Sequence, residues 1–190
     1  MSEEAQGQVI SKVDDTRFMV RRARLAYPSL VEHNEYAGKS TGKFVATLLI
    51  PKTPNILKPI EAFIHEELKA RKMRVHPNNY FYIDGDQTEY PGYAGHWALK
   101  TSSKLRPRLV NGRRDPMPPE EFYAGCYVNG IIQPWIQRNQ HDKRVNCNIN
   151  GLQFVDDGEP LVEGLPADAA DFPEMEDQGG NDPFDEEGGF

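Results

Sequence analysis

The chain has 190 residues, 38% of them hydrophobic, and 22 Lys and Arg against 29 Asp and Glu give it a formal charge of −7. That size fits one domain with appendages, and an acidic balance of this kind argues against a polyanionic partner. Position reverses the argument: no Lys or Arg follows Arg144 whereas 13 acids do, so residues 1–144 carry +6 and residues 145–190 carry −13.

No run of about 18 apolar residues exists to span a membrane. The start, MSEEAQGQVISK, lacks the basic and apolar regions of a secretory signal, so the expected compartment is the cytoplasm. Cys126 and Cys147 have no CxxC partner and read as buried thiols. The abundance of Gly and Pro favours a turn-rich β domain over a helix bundle.

Residues 1–15 hold only Val9, Ile10 and Val13 as sizeable apolar groups and read as a flexible arm. Residues 17–27 read as a strand ending before Pro28, with Val20, Arg22 and Arg24 on one face. A polar loop (residues 32–43) leads to residues 43–50, which are apolar on both faces and suit a central strand. The period then changes. Ile56, Leu57, Ile60, Phe63, Ile64 and Leu68 recur at intervals of mostly 3 and 4, which predicts an amphipathic helix over residues 55–73. Lys69, Arg71, Lys72 and Arg74 near its end complement the helix macrodipole, which is sufficient reason for them.

Short strands are expected at residues 80–83 and 97–101, separated by a turn at Asp84-Gly85-Asp86, and a long insertion rich in Pro, Gly and Arg follows. In residues 126–136, Cys126, Val128, Ile132 and Ile136 alternate with Tyr127, Asn129, Gln133 and Trp135, so two aromatics and two amides face outward. In residues 145–155, Val145, Cys147 and Ile149 alternate with Asn146, Asn148 and Asn150. Leu152 and Phe154 then appear in the opposite phase, which predicts a bulge at Gly151. Residues 16–155 therefore form a mainly β domain with one inserted amphipathic helix, and an OB-fold-like β-barrel is the leading architecture.

Residues 156–190 hold all 13 of the late acids and few large apolar groups, so this acidic C-terminal tail is expected to be disordered by itself. Phe172, Met175, Phe184 and Phe190 are its exceptions. Phe184 or Phe190 could enter an apolar pocket on a partner while the acids steer it to a basic rim. A flexible tail of this length spans roughly 30 to 35 Å. It reaches its own basic domain and can compete there with a polyanion.

Trp97, Lys100, Lys104, Arg106, Arg108, Arg113 and Arg114 lie within eighteen residues that contain no acid, the composition of a phosphate-binding track. Aromatic faces matter beside such a track because a single strand exposes bases for stacking. Tyr93, Trp97, Tyr127 and Trp135 are the candidates. Arg21, Arg22 and Arg24 form a second basic cluster, for which charge protection of a strand edge and phosphate contact are equal readings. Asp84 and Asp86 could hold Mg²⁺ for a nuclease, although Asp-Gly-Asp is more often a turn. The five histidines lack zinc spacing, and no phosphate-binding GxxxxGK[ST] loop is present, so neither cofactor nor metal is expected.

Several stretches carry a resemblance: residues 24–28 (RLAYP), 48–52 (LLIPK), 100–104 (KTSSK), 125–129 (GCYVN) and 150–160 (NGLQFVDDGEP). The sequence resembles a family of phage single-stranded DNA-binding proteins with an OB-fold core and an acidic C-terminal tail. The resemblance implies a non-enzymatic protein that coats single-stranded DNA, or RNA, during phage replication or recombination. It also implies that the tail contacts replication or recombination proteins. Bacterial proteins of this class usually close such a tail on Pro-Phe, whereas here Pro183-Phe184 is internal and the last three residues are Gly-Gly-Phe. The alternatives are an interaction protein that uses its tail alone, and the Mg²⁺-dependent nuclease.

Overall fold

The computed structural model describes residues 8–140, 142–161 and 170. The strands are β1 (Ile10–Lys12), β2 (Phe18–Ser29), β3 (Glu35–Tyr36), β4 (Lys39–Ser40), β5 (Phe44–Pro51), β6 (Tyr82–Asp84), β7 (His96–Ser103), β8 (Arg108–Val110), β9 (Tyr127–Arg138) and β10 (Lys143–Asp156). The single α-helix among the described residues, α1, is Lys58–Ala70. The main sheet runs β6-β7-β5-β2-β9-β10-β8, with β1 added to β2. A parallel pairing of Asn148 in β10 with Ser102 in β7 brings its ends together. The ring β2-β5-β7-β10-β9 is therefore a five-stranded closed barrel, the OB architecture, with α1 between its second and third strands.

The interior follows from alternation along long strands. Phe44, Ala46, Leu48 and Ile50 of β5 and Val128 and Ile132 of β9 are buried, as are Val145, Cys147, Ile149 and Leu152 of β10. The last two lie on the same side because the β9–β10 register shifts between Ile149 and Gly151, where the phase change in the sequence places a bulge. Helix α1 lays Ile60, Ile64 and Leu68 on the barrel, and Phe63 meets Phe18 edge-on at 5.6 Å. The helix is shorter than its apolar periodicity. It starts at Lys58 because Pro59, lacking an N–H, fits only the first turn, and the left-handed Lys72 (φ +52°) lies just past its end. Ile56 and Leu57 reach the core from the preceding turn.

Three further expectations are corrected. Strand β2 carries a bulge between Val20 and Ala23, with Arg22 at φ +49°, so Val20, Ala23 and Leu25 enter the core while Arg22 faces out; Val20 does not share a face with Arg22 and Arg24. The strand also continues through Pro28 to Ser29. The N-terminal arm is tied down from Ile10, which pairs with Val20 and is 2% exposed.

The acidic segment likewise begins docked rather than free. Gly125 (φ +113°) and Gly158 let two backbones meet: a Cβ on Gly158 would lie 2.1 Å from the Gly125 carbonyl oxygen, and one on Gly125 would lie 2.2 Å from that of Glu159. The Leu161 N–H donates to Ala124 at 2.9 Å, and the Tyr123 hydroxyl donates to Asp157 at 2.7 Å. The Leu161 side chain sits over Gly92 and packs on the small cluster of Ala26, Leu49, Tyr93 and Ala98. Phe172, Met175, Phe184 and Phe190 lie outside the described residues. No described helix is long and apolar enough to cross a membrane.

Both cysteines are free and buried, and burial raises their thiol pKa values, that of Cys126 to about 11. Only the thiolate is reactive. In native protein at pH 8, a thiol-specific disulfide reagent should therefore modify neither cysteine, and denaturant should make two thiols reactive. Rapid native reaction of either would show that the β9–β10 core is open.

Candidate nucleic-acid interface

The alternation that buries one side of β9 and β10 leaves the other side to solvent, and there the outward side chains bond to one another. Asn146 Nδ2 donates to Gln137 Oε1 at 2.6 Å, and Trp135 Nε1 donates to Asn148 Oδ1 at 3.1 Å. Asn150 Nδ2 donates to Gln133 Oε1 at 3.2 Å, and Asn129 Nδ2 donates to Gln153 Oε1 at 3.0 Å. Backbone register places these partners across the strand pair, so the face is a ladder of cross-strand amides. An amide offers both a donor and an acceptor, which suits contact with any base edge. Trp135, set in the ladder, is 40% exposed.

Two depressions flank the ladder and share Asn150. The larger, about 1040 Å³, has Trp135, Gln137, Asn146 and Asn148 in its wall and Lys43, Lys104, Arg106 and Arg144 around it. The smaller, about 340 Å³, joins Arg17, Arg108 and Arg114 to Asn129, Ile131 and Gln153. The cations arrive by topology. Chain leaving β7 at Ser103 passes beside β10, and β8 then pairs in parallel with it at Arg108↔Gly151. Asp142 is the acid among the lining residues of the two depressions, and it pairs with Arg144 at 3.8 Å. Beyond the ladder's far end, the Arg22 guanidinium stacks 4.8 Å over the Tyr127 ring and reaches Asp156 at 3.4 Å.

Lys104, Arg106, Arg108, Arg114 and Trp135 thus share one face, Tyr127 and Arg22 adjoin it, and Arg113 is exposed in the turn beside Arg114. Arg106 is already engaged: it donates to the Leu30 and Val31 carbonyls at 2.8 and 2.7 Å and lies over Phe44. Lys100 is exposed on β7, two residues before Ser102 on the same side.

Four expected residues lie elsewhere. Tyr93 is 2% exposed beneath Leu161 and has no ring face open to a base. Trp97, at the other end of β7 roughly 23 Å along the chain from Lys104, packs edge-on against Tyr82 and lies under Lys52. A contiguous sequence track is therefore two separate places, because an extended strand carries its ends apart. Arg21 is bonded to Ser11 at 2.6 Å through β1, and Arg24 to the Gly125 and Glu159 carbonyls. These two arginines hold the N-terminal segment and the start of the acidic segment. Arg17, Lys43 and Arg144 complete the face but were too scattered in sequence to be singled out.

The family model described as the ssDNA-binding protein of Enterobacter phage Enc34 matches residues 16–181. Protein p50 of Acyrthosiphon pisum secondary endosymbiont phage 1 is 29% identical over 173 residues, 84% of this chain and 94% of p50. The bacteriophage Enc34 single-stranded DNA-binding protein, solved in complex with ssDNA, is 30% identical with a TM-score of 0.69, over 83% of this chain and 100% of that one. The single-stranded DNA-binding protein gp2.5 of bacteriophage T7 has a TM-score of 0.50 at 10% identity, over 80% of this chain and 98% of that one, a likeness of fold.

The Asp84-Gly85-Asp86 turn carries a side-chain cation in place of the Mg²⁺ considered for it. Lys52 Nζ lies 2.8 Å from Asp84 Oδ1 and 2.8 Å from Asp86 Oδ2, and the described residues contain no group of three or more metal-ligating side chains. The hydrogen bonds from Lys52 are the first cause holding both carboxyls below their ordinary pKa. A depressed carboxyl contributes stability that is present above its unfolded value and is lost as pH falls through the folded value. In Lys52→Met the titration midpoints of Asp84 and Asp86, followed by carboxyl NMR shifts, should rise, and the acid unfolding transition should move to higher pH. Unchanged midpoints would show that Lys52 does not hold the turn.

Proposed function

The chain belongs to the family of the Enterobacter phage Enc34 ssDNA-binding protein, and on that premise we propose that it binds single-stranded DNA without sequence preference along the outer face of β9 and β10. The observation that carries this reading is the exposed Trp135 set among cross-strand amides between two groups of cations. Trp135 would stack one base, and Tyr127 beneath Arg22 a second. Lys100, Lys104, Arg108, Arg113 and Arg114, with Arg17, Lys43 and Arg144, would follow the phosphates, while the one spare edge of Arg106 adds to them. Amide pairs with free donors and acceptors tolerate every base, which fits strand protection during phage replication or recombination in the host cytoplasm. No catalytic step is required.

The acidic segment is the second part of the proposal. Ten of its thirteen acids follow Leu161 in the sequence, beside a domain of +6, and they act as an intramolecular competitor for the same cations. Phe184 or Phe190 would dock on replication or recombination proteins when DNA displaces the tail.

Trp135→Ala should weaken oligo-dT binding by about 1 to 3 kcal/mol. Arg108→Ala and Arg114→Ala should each flatten the salt dependence by roughly 0.7 in log–log slope. Truncation after Leu161, which keeps the docked segment, should tighten binding. An affinity for duplex equal to that for oligo-dT would overturn the single-strand reading, and unchanged affinity after truncation would overturn the competitor role.

A further inference from the structure

We infer that the β3–β4 hairpin is a second base-stacking element, with Tyr36 at its tip and Leu105 opposite forming an apolar jaw at the mouth of the Trp135 depression. Among the described residues, the two most exposed large apolar side chains are these: Tyr36 at 80% and Leu105 at 83%. They stand on two loops that are joined, because Arg106, next to Leu105, donates to the carbonyls of Leu30 and Val31 where the chain enters the hairpin segment.

The hairpin is built to hold its tip out. Glu35 pairs with Ser40 and Tyr36 with Lys39, and the two turn residues Ala37 and Gly38 have φ of +52° and +76°, the doubly left-handed turn that suits a tight hairpin. Its base is clamped where the Asn34 N–H donates to Lys43 at 2.7 Å and the Thr41 N–H donates to Asn34 at 2.8 Å. Lys43 also borders the Trp135 depression. Tyr36 lies two residues beyond Asn34, about 7 Å farther along the strand. The hairpin's base is thereby tied to the rim residue Lys43, and its tip stands exposed.

The chemistry around the jaw suits a nucleic-acid strand better than a protein partner. Lys39, Lys43 and Lys104 flank the two apolar groups, so a ligand with a flat apolar face and a negative backbone meets both kinds of contact. A strand whose base lies on Trp135 would pass its neighbouring nucleotide between Tyr36 and Leu105, so that the footprint extends beyond the barrel wall. This rests on the single-strand reading above, and its test is separable from it.

The hairpin tip is exposed, so its substitution leaves the fold intact, and full-length protein can be used. Tyr36→Ala should weaken binding of oligo-dT at least about fivefold, the lower end of one lost stacking contact. Tyr36→Phe should keep wild-type affinity, and the salt slope should stay unchanged in both because no cation is lost. Tyr36→Ala within twofold of wild type, while wild type binds oligo-dT, would overturn the jaw and leave the β9–β10 reading standing. Failure of wild type itself to bind would overturn both.

Discussion

Strand β10 is bonded along both edges, and that constraint sets everything on the proposed binding face. One edge carries the long antiparallel ladder with β9; the other takes β7 at Asn148 and then β8 from Gly151 onward, both in parallel. Because β10 closes the barrel, one of its sides must be apolar throughout, and the bulge between Ile149 and Gly151 keeps it so across a change of phase. The opposite side is released from packing and can be amides and an aromatic ring. The same closure brings the chain after β7 alongside, so cations distant in sequence reach the amides.

Much of this was legible because alternation is a local signal. The inward set of Val128, Ile132, Val145 and Cys147, the outward Trp135 and asparagines, and the bulge at Gly151 all follow from a period of two and its interruption. The features that were not legible depend on contacts between distant segments. The bulge at Arg22 uses a left-handed arginine where no glycine announces it, and the Asn129 side chain, 107 residues away, accepts from its N–H at 2.9 Å. Ile10 looked too isolated to anchor anything until β2 provided a partner. Trp97 and Lys104 fall in one sequence cluster, yet Trp97 lies near the start of β7 and Lys104 just past its end. Tyr36 carried no signal beyond its loop, since its exposure is a property of the folded hairpin.

Among the described residues the two opposed charge blocks meet in one ion pair. Arg22 and Asp156 form an exposed pair at 3.4 Å, and contacts of that kind contribute at most about 1 kcal/mol. The docked start of the acidic segment is instead held by backbone: glycine against glycine, Leu161 in a small apolar cluster, and Arg24 on main-chain carbonyls. Short-range packing thus fixes the acidic segment up to Leu161, and most of its acids follow that point in the sequence. Under the proposed competition, salt would screen the tail's acids while leaving the packed anchor in place.

The central claim is that single strands stack on Trp135 and not on the barrel's other tryptophan. Two single-tryptophan proteins, Trp97→Phe and Trp135→Phe, titrated with oligo-dT at low and high salt and followed by intrinsic fluorescence, test it most directly. Quenching in Trp97→Phe, where Trp135 is the only reporter, with little change in Trp135→Phe, is the predicted result. Quenching confined to Trp135→Phe, where only Trp97 reports, would contradict the account and move the strand to Trp97 beside Tyr82 and Lys52.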